Sequence, residues 1–330
     1  MARRLASVAA VFLAALLLGG CETLAYYAQA IGGQLSLMSR AQPVERLIAD
    51  PATPPALRQR LALARAIRDY AAKELALPDN RSYRGYADLE RPYAVWNVVA
   101  AQEFSLEPVL SCFPVAGCVS YRGFFSQQAA ERHAGRLRAE GHDVFVYGVA
   151  AYSTLGRFDD PLLSTFIDYS DADLARLIFH ELAHQVVYVK NDTTFNESFA
   201  VAVEREGVRR WLAATGRGAQ LAGFVESQRR NERLLALLED ARGRLGALYA
   251  ARLAPEAMRE RKRTEVEALG ARLKDYPRLA GFPVNNALLA SFASYNQLVP
   301  AFERLLAEEK GDLARFYERV RALARDDARP

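Results

Sequence analysis

The sequence predicts an α+β fold, and three observations carry that expectation. Segments rich in Val, Tyr, Phe and Trp lie between Tyr93 and Ala151. The chain from Ala219 to Ala324 has helical periodicity nearly throughout. Between these regions two apolar-periodic stretches are delimited by a capping box and by turn residues, which marks two consecutive helices.

Taken in order, residues 1–20 read as a signal peptide, with Arg3 and Arg4 ahead of an apolar run from Val8 to Leu18. Leu18-Gly19-Gly20-Cys21 resembles a bacterial lipobox, which implies cleavage before Cys21 and lipidation of that cysteine. The protein is then expected to be tethered to a bacterial membrane by its N-terminal lipid, without spanning it. By the same resemblance, Glu22 in place of an aspartate favours the outer membrane, facing the periplasm. Residues 21–45 read as the lipid anchor and tether.

Pro54-Pro55 opens a helix whose apolar positions Leu57, Leu61, Ile67, Tyr70 and Ala71 carry it to about Leu77. Tyr93–Phe104, Val115–Phe125 and Asp143–Ala151 read as strands, with a polar helix from Gln127 to Glu140 between the last two. Ser170-Asp171-Ala172-Asp173 has the form of a capping box, so a helix is expected from Asp171 to Val187. Lys190 to Thr194 reads as a turn, and a second helix runs from about Asn196 to a stop at Gly216. The helical last third is interrupted around Tyr276–Pro283 and at Pro300.

The 330 residues are 51% hydrophobic and 25% charged, an ordinary globular composition, and the net charge of +4 is too small to suggest a nucleic-acid partner. Arg209-Arg210 and Arg229-Arg230 sit among acidic residues in helical patterns and read as solvated faces. With Cys21 assigned to lipid, Cys112 and Cys118 remain in an oxidising compartment, close enough to close a small disulfide loop. A zinc site on these two cysteines would lack nearby histidines.

His180-Glu181-Leu182-Ala183-His184 is an H-E-x-x-H sequence inside the capped helix. Residues four apart lie on one helix face, so both imidazoles can reach one ion, and a Zn2+, one per chain, is the expected cofactor. Glu181 beside them is placed to act as general base towards water. One helix turn supplies only two ligands, and Val187 and Lys190 stand where a longer three-histidine motif would have glycine and histidine. The third ligand is therefore sought in a carboxylate. Glu197 and Glu204 are both candidates; seven residues apart, they share one face of the next helix, so one can bind metal while the other holds a histidine. Glu197 is the expected ligand and Glu204 the expected hydrogen-bond partner. His133 and His142 read as surface residues.

Asn196-Glu197-Ser198-Phe199-Ala200 resembles the Asn-Glu-Gly-Phe-Ala sequence that supplies the glutamate ligand in the zinc aminopeptidases related to leukotriene A4 hydrolase. Ser198 replaces the glycine, and only twelve residues separate His184 from Glu197, which requires a tight connection. Together the lipobox, the H-E-x-x-H and this segment resemble a family of bacterial lipoproteins known as predicted aminopeptidases. The resemblance implies a zincin-like fold of the gluzincin type: a small sheet, the H-E-x-x-H and glutamate helices in residues 46–216, and a helical lobe in 217–330 closing the cleft. It implies a peptide or protein substrate and aminopeptidase activity. The Gly-Ala-Met-Glu-Asn segment that recognises a free amine in the larger family has no counterpart here. Tyr152–Gly156 occupies a similar place and is expected as an edge strand for a peptide. Tyr295 is the expected oxyanion donor. Two other functions fit the same residues: an endopeptidase acting on envelope proteins or cell-wall peptides, and a non-catalytic metal-binding lipoprotein, against which the intact Glu181 speaks.

Overall fold

The computed structural model describes residues 26–113, 117–151, 153–279 and 281–325, the side chains of 293–296 excepted. The expected signal peptide and lipidated Cys21, Tyr152, and the side chain of Tyr295 lie outside the described residues. No helix among the described residues is long and apolar enough to cross a membrane.

Helix α1 covers residues 26–40, followed by β1 (Gln42–Pro43), α2 (Val44–Ala49) and α3 (Pro55–Glu74). Helix α3 opens at Pro54-Pro55 as expected. It stops before Leu77 because Ala76 adopts φ +51 and the Leu77 N–H turns back to the carbonyl of Ala71. Next come β2 (Gly85–Ala87), β3 (Val95–Ala101), β4 (Ser111–Phe113), β5 (Gly117–Val119), β6 (Arg122–Phe124), α4 (Gln127–Ala139), β7 (Asp143–Val149) and β8 (Leu162–Leu163). The stretch expected as one strand from Val115 to Phe125 is thus two short strands, joined through Ser120 and Tyr121.

The principal sheet is antiparallel in the order β6-β3-β7, with Asn97 opposite both Gly123 and Tyr147. All seven residues of β3 are buried, because both faces of this strand are covered. Trp96, Val98 and Ala100 pack with Ala130 and Ala134 of α4, whereas Val99 and Ala101 face an opposite cluster built from the helices after residue 218. A second sheet runs β1-β2-β8, and β4 and β5 form a hairpin in which Cys112 and Cys118 face each other and are joined by a disulfide.

The two central helices are α5 (Asp171–Ala183) and α6 (Thr193–Ala214). Ser170 caps α5 by accepting the Asp173 N–H, and its hydroxyl donates to the Asp173 carboxylate at 2.7 Å. Asp192 caps α6 through the Phe195 N–H, so α6 begins three residues ahead of Asn196. The two helices approach closely at Gly207, where a Cβ would stand 2.8 Å from the Phe179 ring and 2.9 Å from Leu75. Helix α5 ends at Ala183, short of the expected Val187. The chain tightens there into Gln185→Leu182 and Val186→Ala183 backbone bonds, while the Gln185 side chain bonds Asn80 and Ser82.

Helices α7 (Gly218–Ala250), α8 (Pro255–Leu273), α9 (Asn286–Asn296), α10 (Val299–Glu308) and α11 (Leu313–Arg325) complete the chain. Leu237, Leu245, Leu269 and Leu288 from α7 to α9 pack against Val99 and Phe145 of the sheet. Phe302, Phe316 and Tyr317 from α10 and α11 instead surround Phe199 of α6, and the Tyr317 hydroxyl donates to the carbonyl of Leu75. The C-terminal helices therefore build part of both clusters.

Candidate metal centre

Helix α5 carries His180 and Glu181 on its last full turn, with His184 as its C-cap in αR conformation. Leu177, Ile178 and Leu182 bury the other faces of this turn, so the imidazoles turn towards α6. On α6, Asn196 clamps the connection: its Oδ1 accepts the Val189 N–H and its Nδ2 donates to the Val189 carbonyl, both at 2.7 Å. This double bond to the incoming loop accounts for the short link between His184 and Glu197. Ser198, buried next in sequence, accepts the Leu298 N–H at 3.1 Å and so ties α6 to the α9–α10 connection.

Between these helices three donor atoms converge. His180 Nε2 lies 3.2 Å from His184 Nε2, and Glu197 Oε2 lies 3.3 Å from the first and 3.7 Å from the second. Zinc bonds of about 2.0–2.1 Å at tetrahedral angles place donor atoms about 3.3–3.4 Å apart, so the residues present fit such an ion. Among the described residues, these three form the one group able to hold a metal ion.

Glu204, two turns further along α6, stands apart from this triangle. Its Oε2 is 2.9 Å from Nδ1 of His180, on the side of the ring away from Glu197, and its Oε1 is 3.5 Å from Arg176. A carboxylate in that position fixes the orientation of the imidazole and makes it a stronger donor. The His184 Nδ1, in contrast, is buried with no hydrogen-bond partner among the described residues.

From the protein's own charges, burial opposes the His180 imidazolium, and bonds to Glu197 and Glu204 outweigh it and hold its pKa well above the ordinary range. Burial pushes His184 down to about 4. Burial works to raise Glu197 and Glu204, yet both are held below the usual carboxylate value: Glu197 by the electrostatic influence of His184 and by the hydrogen bond and charge of His180, Glu204 by Arg176 foremost. For Glu181 burial outweighs the charge of His180, and its pKa is raised to about 7. It is the basic carboxylate of the site, suited to taking and returning a proton near neutral pH.

Residues that the sequence did not single out also feel the charges of this centre. Tyr121, in the β5–β6 connection, has its phenol pushed well up by burial and by Glu197, and Tyr188 is raised by the same causes. Tyr83 is buried near Glu181. These tyrosines carry no motif of their own; only Tyr188 is near the H-E-x-x-H in sequence. Tyr295 belongs to α9, which packs against α6, but its side chain lies outside the described residues.

The expected edge strand at Tyr152–Gly156 is absent from its described residues. Residues 154–157 form a turn closed by the Arg157 N–H on the Thr154 carbonyl, with Leu155 at φ +58 and Gly156 at φ +75. Asp160 holds it there by accepting the Thr154 N–H and hydroxyl at 2.8 and 2.9 Å, and Gly156 lies against Gln185. His133 and His142 are part-buried and distant in sequence from the centre; His133 lies against Phe124.

No curated protein and no solved structure matches this chain. One family model does, over residues 25–329, which include α5, α6 and the converging donors. The chain belongs to the family described as "Putative aminopeptidase".

Proposed function

We propose that this protein is a zinc-dependent peptidase of the gluzincin type, acting as an aminopeptidase and tethered through lipid on Cys21 to the periplasmic face of the outer membrane. The observation that carries the proposal is the triangle of His180 Nε2, His184 Nε2 and Glu197 Oε2, at separations of 3.2–3.7 Å, with Glu181 beside it on α5. Family membership supports peptide chemistry and the aminopeptidase reading.

His180, His184 and Glu197 would hold the zinc, and Glu204 would orient His180. When bound, zinc supplies a Lewis acid and lowers the pKa of water towards neutrality. The Glu181 carboxylate removes a proton from the attacking water and delivers it to the nitrogen of the departing residue.

The test uses the soluble protein beginning after Cys21. About one zinc per chain is expected, with cleavage of peptides bearing a free N-terminal amine. Glu181→Gln should keep the metal and lose about 10²–10⁴-fold in kcat. Equal cleavage of amine-blocked peptides would replace the aminopeptidase reading with an endopeptidase one. Failure to bind zinc even when it is supplied would remove the enzyme reading altogether.

A further inference from the structure

Helix α1 presents two opposite faces. Ala28, Ile31 and Leu35 lie at helical spacing on one of them and are exposed, Ile31 by 60% and Leu35 by 61%. Among the described residues no other large apolar side chain is more exposed. A single exposed apolar residue needs no explanation, but here a whole stripe lacks a polar counterpart. From Thr23 to Ser39 the sequence holds no charged residue, and Arg40, at the end of the helix, is paired with Glu90.

The other face fastens α1 to the body of the protein. The Tyr26 ring stacks on Phe113, with the Arg122 guanidinium 4.1 Å from its centre. Gln29 accepts the Phe125 N–H at 3.0 Å, Gly33 lies directly against the Phe125 ring, and Leu37 is buried in the main core. The exposed stripe is therefore held in a fixed direction relative to the sheet and the metal centre, and it is not a helix waiting to dock on its own chain.

Only four residues separate Cys21 from Tyr26, so α1 starts within about 18 Å of the proposed lipid site. A lipid on Cys21 would keep this uncharged helix at the bilayer surface, where exposed Ile and Leu side chains are favoured and few polar groups need be desolvated. We infer that α1 lies on the membrane, with Ala28, Ile31 and Leu35 sunk into the lipid interface, and so sets the orientation of the protein on the bilayer. The inference rests on the lipid tether proposed above.

The test uses the soluble protein beginning at Glu22, with an N-terminal hexahistidine segment that holds it on phosphatidylethanolamine–phosphatidylglycerol vesicles containing a nickel-chelating lipid. Leu35→Cys, labelled with an environment-sensitive dye, should lose about half its emission or more when the acyl chains are brominated, because an interfacial helix sinks about 5–10 Å. Adding Ile31→Asp should abolish that loss. Unchanged emission on brominated lipid overturns the inference, and so does quenching that persists with Ile31→Asp, which the tether alone would produce. A dimer in solution that Ile31→Asp dissociates would assign the stripe to a second copy and overturn it as well. Lipidation is decided separately, by the mass of the N-terminal peptide of the full chain: an unmodified Cys21 fails the proposed tether and leaves the vesicle result to be read on its own.

Discussion

Nδ1 of His180 and Oε2 of Glu204 lie 2.9 Å apart, while the opposite nitrogen of the same ring faces Glu197 at 3.3 Å. One imidazole is thus gripped by two glutamates of α6 that are seven residues apart, and the two are expected to differ in what they do.

Glu197→Ala should abolish stoichiometric zinc binding, whereas Glu204→Gln should weaken it by about 10–100-fold, since it removes charge from an orienting contact but keeps an acceptor. Competition against a chromophoric chelator measures both. The reverse ranking would make Glu204 the ligand. Glutamine is preferred to alanine at 204 because it keeps an acceptor for His180 Nδ1 and for Arg176.

Asp160 is buried, and burial raises its pKa to about 6. Between an ordinary aspartate value near 4 and this one, the folded protein binds more protons than the unfolded chain. Its contribution to stability is therefore full below about pH 4 and declines as pH rises through 6, by up to about 3 kcal/mol. Asp160→Asn keeps an acceptor for the Thr154 N–H and should flatten that slope. Urea unfolding of both proteins at pH 4.5 and pH 7 isolates the difference.

A methyl group at Gly207 would enter the contact between α5 and α6, 2.8 Å from Phe179 and 2.9 Å from Leu75. Gly207→Ala should destabilise the protein by about 1–3 kcal/mol through overpacking, even though alanine is the better helix former. A gain in stability on chemical denaturation would contradict this packing.

The hairpin closed by Cys112 and Cys118 is fastened to the loop after α5, where the Cys118 N–H donates to Asn191 Oδ1 at 2.7 Å. Asn191 itself stands at φ +68. Replacing both cysteines by serine should cost about 2 kcal/mol of stability, the loop-closure entropy of a short ring, and leave zinc content intact. Loss of metal would mean that the hairpin also holds the centre in place.

Much of the local architecture was legible. The Ser170 capping box starts α5 where the sequence places it, and the four-residue spacing of His180 and His184 puts both rings on one face. The seven-residue spacing of Glu197 and Glu204 likewise sends both towards His180. Helix ends were less legible: α5 stops at Ala183 because the Gln185 side chain is drawn to Asn80 and Ser82, about a hundred residues earlier. The turn at 154–157 was read as a strand because its composition does not reveal the Thr154–Asp160 bonds that bend it.

The sequence by itself determined which side chains share a helix face, since i,i+4 geometry follows from backbone hydrogen bonding within a few residues. Only the tertiary structure decided that Glu197 meets both histidines and that the side chain after His184, Gln185, is bonded by Asn80 and Ser82. Those proximities depend on how closely α5 and α6 pack at Gly207, and on a loop that Arg68 holds against the end of α5. Contacts of that kind are made between residues remote in the chain, through close packing and buried hydrogen bonds, and no periodicity or spacing in the sequence encodes them.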